Sequence, residues 1–83
     1  MLIKEMLLKN IDRLHTTKMG IGRIKKNLSL DTDNVINYCK NKILDKNCIV
    51  YKQGKNWYFE TDDIKITINS FSYGIITAHK KIN

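Results

Sequence analysis

Near Asn47 the hydrophobic period of this 83-residue chain changes from about 3.6 residues to two. Little else constrains its fold as strongly. Before that point, Leu2/Ile3, Met6/Leu7, Ile11 and Leu14 recur at helical spacing, with Lys4, Glu5, Lys9, Asp12 and Arg13 between them. The spacing predicts an amphipathic helix of about three turns, ending at His15-Thr16-Thr17. Either threonine can cap a second helix with Ile21, Ile24 and Leu28 on one face. Gly20 and Gly22 weaken its first turn by roughly 1 kcal/mol each, which implies another backbone packed close by. After a turn at Ser29–Asp33, a third helix buries Val35/Ile36, Cys39 and Ile43. Asp31 or Thr32 is its expected cap and Asp33 sits in its first turn, with Lys40, Lys42 and Lys46 toward its C-terminal end.

From Cys48 onward the pattern is that of strands. Cys48–Tyr51 and Asn56–Glu60 flank a tight turn at Gln53-Gly54-Lys55, and Thr61-Asp62-Asp63 turns the chain again. Ile64, Ile66 and Ile68 alternate with Lys65, Thr67 and Asn69. Ser70–Gly74 leads to a last strand over Ile75–Lys80, whose Ile76, Ala78 and Lys80 set suits the core. The expectation is one α+β domain over 1–83: a helical part (1–46), then a four-stranded antiparallel meander (47–82) with the helices on one face. No proline occurs, so no linker is visible.

The formal net charge is +7, from 15 Lys and Arg against 8 Asp and Glu. Such a balance favours polyanions, nucleic acid first among them. The charge is spread over both halves and forms no basic tail. No apolar run approaches the roughly 20 residues that cross a bilayer, and the charged N-terminal residues do not read as a signal peptide. A cytoplasmic protein without a membrane partner is expected. Cys39, Cys48, His15 and His79 lack metal-ligand spacing, so no metal or other cofactor is expected, and the thiols read as reduced.

Three constellations could carry function. The block Thr17–Glu60 is similar to a winged-helix arrangement, with a recognition helix followed by a hairpin wing. It nominates Lys18, Arg23, Lys25, Lys26, Asn34, Asn37 and Lys42 on the helices, and Lys52 and Lys55 at the hairpin tip, as nucleic-acid contacts. In the last two strands, alternation sets His79 and Thr77 beside Lys65 and Thr67. That polar face resembles the compact architecture of barnase-like and interferase-like ribonuclease toxins. The resemblance implies a metal-independent ribonuclease with His79, Lys65 and Tyr73 as candidates, Tyr73 or Glu60 being the partner of His79. Finally, Tyr58 points away from Trp57 and Phe59, and with Tyr51 or Tyr73 offers a stacking surface for bases.

Four further stretches matter together: Ile11-Asp12-Arg13-Leu14-His15-Thr16-Thr17, Arg23-Ile24-Lys25-Lys26-Asn27-Leu28, Asn56-Trp57-Tyr58 and Ile75-Ile76-Thr77-Ala78-His79-Lys80. Through them the chain resembles an uncharacterised family of short bacterial proteins, which implies a stand-alone domain and assigns no activity. The reading that follows is a small, non-enzymatic nucleic-acid-binding or nucleoprotein-binding module with a regulatory role. Two alternatives remain open, a phage or mobile-element inhibitor of a host nucleoprotein (anti-CRISPR-type) and a ribonuclease toxin. An exposed edge strand would also allow a homodimer.

Overall fold

Asn10 divides the first amphipathic stretch. Its side-chain amide donates to the Met6 carbonyl at 3.1 Å, and its backbone N–H bonds the Leu7 carbonyl at 3.0 Å. Asparagine competes with the helix for backbone partners, so the expected three-turn helix becomes α1 (Ile3–Lys9) and a 3₁₀ turn (Ile11–Arg13). Leu7 and Leu14 still reach the core, with Ile11 packed against it. The structure, a computed structural model, describes residues 3–61 and 63–81. The expected parts of Leu2 in the first helix and of Asp62 in the β2–β3 turn lie outside the described residues.

Helix α2 (Lys18–Leu28) starts at Thr17, whose Oγ1 accepts from the Gly20 N–H at 2.9 Å. It ends at Ser29, held in the left-handed region at φ 55°, while the Leu30 N–H returns to the Lys25 carbonyl at 2.9 Å. The group packed close to Gly20 is the Thr16 hydroxyl, not another backbone, and Gly22 faces open space. Helix α3 (Val35–Leu44) is capped by Asn34, whose Oδ1 accepts from the Asn37 N–H at 3.2 Å. Neither Asp31 nor Thr32 is the cap; Thr32 Oγ1 instead accepts from the Asn34 N–H at 3.0 Å. Four cap-competent residues stand in a row here, and the one directly before Val35 serves, because Val35 must be buried. Asp33 therefore precedes the helix and Lys46 lies beyond it.

Strands β1 (Ile49–Gln53), β2 (Asn56–Glu60), β3 (Ile64–Asn69) and β4 (Ile75–Lys80) form one antiparallel sheet in chain order. The β1–β2 loop is Gly54-Lys55, with φ +63° at the glycine alone, as a type II′ turn requires. Between β3 and β4 the register slips: Thr67 faces Thr77, but Ile68 faces Ile75. Ile76 is the extra residue of this β-bulge. The bulge turns Ile75 inward with Ala78 and leaves Ile76 exposed, which corrects the expected core set of Ile76, Ala78 and Lys80.

The helices cover one sheet face, burying Trp57, Phe59, Ile64, Ile66, Ile68, Ile75 and Ala78 against Leu7, Ile24, Leu28, Val35, Cys39 and Ile43. Helix α2 also lies along β4. Its flanking Thr16 hydroxyl donates to the Ile75 carbonyl, and its Asn27 amide to the Ala78 carbonyl, each at 3.3 Å. No helix among the described residues is long and apolar enough to cross a membrane.

Candidate nucleic-acid interface

The second sheet face carries no helix, and strand alternation decides what it shows. Pairing across the strands aligns Tyr51, Tyr58, Thr67 and Thr77 in one row and Ile49, Glu60, Lys65 and His79 in the next. Gln53, Asn56 and Asn69 form a third row toward the hairpin end. Tyr51 and Tyr58 are stacked, with ring centroids 5.2 Å apart and planes 16° apart. Lys65 Nζ lies 4.9 Å from the Tyr58 centroid and 6.0 Å from that of Tyr51, within cation–π range. The Tyr51 hydroxyl donates to Glu60 Oε2 at 2.5 Å, and Lys81 Nζ pairs with Glu60 Oε1 at 3.3 Å. The hydroxyl, then Lys81 and Lys65, hold the Glu60 carboxyl below its ordinary value, with burial opposing them. The one carboxylate in these rows is thus matched by cations, and the face presents half-exposed aromatic rings beside positive charge.

Of the residues nominated for nucleic acid, Lys42 stands apart from the hairpin tip, and Lys25 and Asn34 are engaged within the fold. Lys52 and Lys55 are exposed at the Gly54 end of the sheet, and Lys18, Arg23 and Lys26 are exposed on α2. Lys25 is held by Asp33 at 2.7 Å, an ion pair and hydrogen bond that keep the Asp33 carboxyl low. Lys42 lies 3.6 Å from Asp63 and 5.6 Å from the Tyr38 ring centroid. Asp63 belongs to the β2–β3 turn, at the opposite end of β2 from Gly54, so Lys42 and the hairpin tip are separated by a strand length of roughly 13 Å. Asn34 is occupied as the α3 cap, while Asn37 is exposed beside it. The hairpin is no free wing either, because β2 is bonded along its length to β3. A recognition helix with a wing at its side is not formed.

Of the catalytic candidates, Lys65 and His79 are cross-strand neighbours. Tyr73 is not with them. It is buried on the covered side, edge-on to Trp57 at 5.3 Å, with the Arg13 guanidinium 4.4 Å from its ring centroid. It precedes the start of β4, while His79 is near the other end of that strand. Glu60 sits beyond Lys65 in the row, two strand spacings or roughly 10 Å from His79, and is bonded elsewhere. The His79 ring contacts a backbone carbonyl, donating from Nδ1 to Lys80 at 3.1 Å.

No motif in the sequence points to a cleft that opens where α2 begins. It measures about 370 Å³ and is lined by His15, Thr16, Thr17, Gly20 and Arg23 on one side and by Asn69, Ser72, Gly74, Ile75 and Ile76 on the other. The His15 backbone bridges to this second wall, its N–H bonding the Tyr73 carbonyl at 3.3 Å and its carbonyl accepting from Ile75 at 2.7 Å. The wall is rigidly made. Tyr73 adopts φ 64°, a conformation persisting only where surroundings over-determine it. Here its ring contacts, the bond from its N–H to the Asn69 carbonyl at 3.0 Å and the Arg13 bond to the Phe71 carbonyl at 3.3 Å supply that. The available signal was a His-Thr-Thr run just before a buried glycine, but its partner segment lies some 59 residues away.

A family model described as "Protein of unknown function (DUF3781)" matches residues 8–79. No curated protein and no solved structure matches the chain.

Proposed function

The chain belongs to the DUF3781 family, and we propose that it is a small, non-enzymatic module that binds single-stranded nucleic acid on its uncovered sheet face. One observation carries the reading: Tyr51 and Tyr58 stack on that face with Lys65 over them. Aromatic rings among cations suit a single strand, since every base has a π-face and every nucleotide a phosphate. Duplex fits less well, as α3, with Lys42 near its end, lies a strand length from the hairpin tip and makes no recognition helix with a wing at its side. The net charge of +7 supplies the long-range attraction. Lys52 and Lys55 at the hairpin tip extend the cationic surface past the aromatic row. Pairing of two copies through an edge strand would fall to β1, because α2 lies along β4.

The test is fluorescence anisotropy with labelled single-stranded RNA, single-stranded DNA and duplex, each titrated at several salt concentrations. Single strands should bind more tightly than duplex, and log K should fall linearly with log salt. Absence of binding at low salt, or an affinity indifferent to salt, would remove the proposal.

A further inference from the structure

The cleft between α2 and the 69–74 segment has a chemistry of its own. Its lining contains no carboxylate, and Arg23 has no hydrogen-bond or ion-pair partner among the described residues. His15 Nδ1 lies 2.8 Å from the Arg13 carbonyl. A carbonyl only accepts, so Nδ1 carries a proton and Nε2 is left toward the Gly74 wall. Thr17 Oγ1 accepts from the Gly20 N–H and Ser72 Oγ from the Gly74 N–H, so each hydroxyl keeps its proton to donate. Asn69 Oδ1 accepts from the Phe71 and Ser72 N–H groups, at 2.9 and 3.0 Å, which leaves its NH₂ as a donor. Neither lining glycine is demanded by its backbone: Gly20 is helical and Gly74 has no positive φ. A Cβ on Gly20 would collide with Thr16 Oγ1, and one on Gly74 would approach Ser72 Oγ and His15 Nε2. Both positions keep the cleft open.

We propose that this cleft is a phosphoryl-binding site for a nucleotide, with Arg23 as counter-charge, Thr17, Ser72 and Asn69 as donors to the phosphoryl oxygens, and His15 Nε2 as an acceptor for a hydroxyl of the same ligand. A hard oxyanion is what a convergence of donors without acids selects. The space exceeds what a phosphate fills and falls in the range of small-ligand sites. An apolar side chain for a nucleoside is present as well, since Ile76 lines the cleft at 44% exposure. The bulge at Ile76 and the strained Tyr73 turn serve this wall. The proposal rests on the nucleic-acid reading only for the source of the phosphate. Asn69 belongs both to the third row of the uncovered face and to the cleft, so one strand can engage both.

Isothermal titration of the full chain with inorganic phosphate, AMP and an octauridylate, with or without a 5′-phosphate, tests it. AMP should bind saturably and more tightly than phosphate. Arg23→Gln should weaken AMP binding by about tenfold or more, as loss of a charge-assisted bond does. His15→Gln should weaken it by roughly threefold to tenfold, and the exposed Lys46→Ala should leave it unchanged. Preference for the 5′-phosphorylated strand would identify a strand end as the source, and equal binding of both strands would identify a free nucleotide. Absence of saturable binding of both phosphate and AMP at millimolar concentration overturns the site, and so does wild-type AMP affinity in Arg23→Gln. AMP binding without oligonucleotide binding would keep the cleft and remove the sheet-face reading. Oligonucleotide binding unaffected by Arg23→Gln, with no AMP binding, would do the reverse.

Discussion

The two faces of the sheet are written by the same four strands and follow opposite rules. On the covered face, Trp57, Phe59, Ile64, Ile66 and Ile68 fill space against three helices, and none keeps more than a trace of exposure. On the uncovered face, Tyr51, Tyr58, Lys65 and His79 make contacts with each other or with nearby backbone, and all but Thr67 of their rows remain at least partly open. Folding alone accounts for the first set. It does not call for two stacked tyrosines under a lysine, which makes the second face the place to look for a partner.

The sharpest contrast should come from cutting one side chain on each face. Ile66→Ala removes a fully buried side chain and should cost about 2–5 kcal/mol. That is a large share of the stability of so small a domain. Urea denaturation would measure it, and a loss under about 1 kcal/mol would mean the covered face is not the core of the domain. Tyr58→Ala should cost only about 0.2–1 kcal/mol as a lost cross-strand pair. Its single-strand affinity should fall about tenfold, within the range for one stacked base. A variant as tight as wild type would break the comparison.

The cysteines give a second contrast. Cys39 is fully buried, and burial pushes its thiol up to about 12, while Cys48 is only half-buried. Alkylation of the folded protein, read by mass spectrometry, should mark Cys48 first and reach Cys39 only after unfolding. Acid should act through the carboxylates. Glu60, Asp63 and Asp33 all have folded values below their ordinary ones, the first through Tyr51, the second through the Thr61 hydroxyl and Lys42, the third through Lys25. Their contribution is present in full above the ordinary carboxylate values and is lost as pH falls through the lowered folded ones. Glu60→Gln should therefore flatten part of the decline in melting temperature at acid pH. The smallest effect belongs to Ser29, which holds a left-handed conformation without being glycine. Ser29→Gly should raise stability by about 0.5–1 kcal/mol, and a loss would mean that its side chain contributes there.

Periodicity made most of this fold legible, because burial in a single layer requires it. Ile24 and Leu28, Val35 to Ile43 and the alternating isoleucines of β3 all lie where their spacing puts them. What escaped has local or long-range causes. Asn10 breaks a helix by a side-chain bond that no hydrophobic pattern registers. One inserted residue, Ile76, reverses the inward set of β4. Alternation alone sets Lys65, Thr77 and His79 together, but it leaves Tyr51 and Tyr73 as equal partners for Tyr58. The His15–Arg23 cleft was hidden because its walls meet only through tertiary structure, and Tyr73 was misplaced because its left-handed turn sends the ring to the covered side.

A nuclear magnetic resonance titration with a single-stranded octanucleotide tests the central claim most directly. Binding at the uncovered face predicts the largest shifts at Tyr51, Tyr58, Lys65, Thr77 and His79, with residues such as Asn37 and Lys42 on α3 little changed. Shifts gathered on α3, or none at low salt, would contradict it.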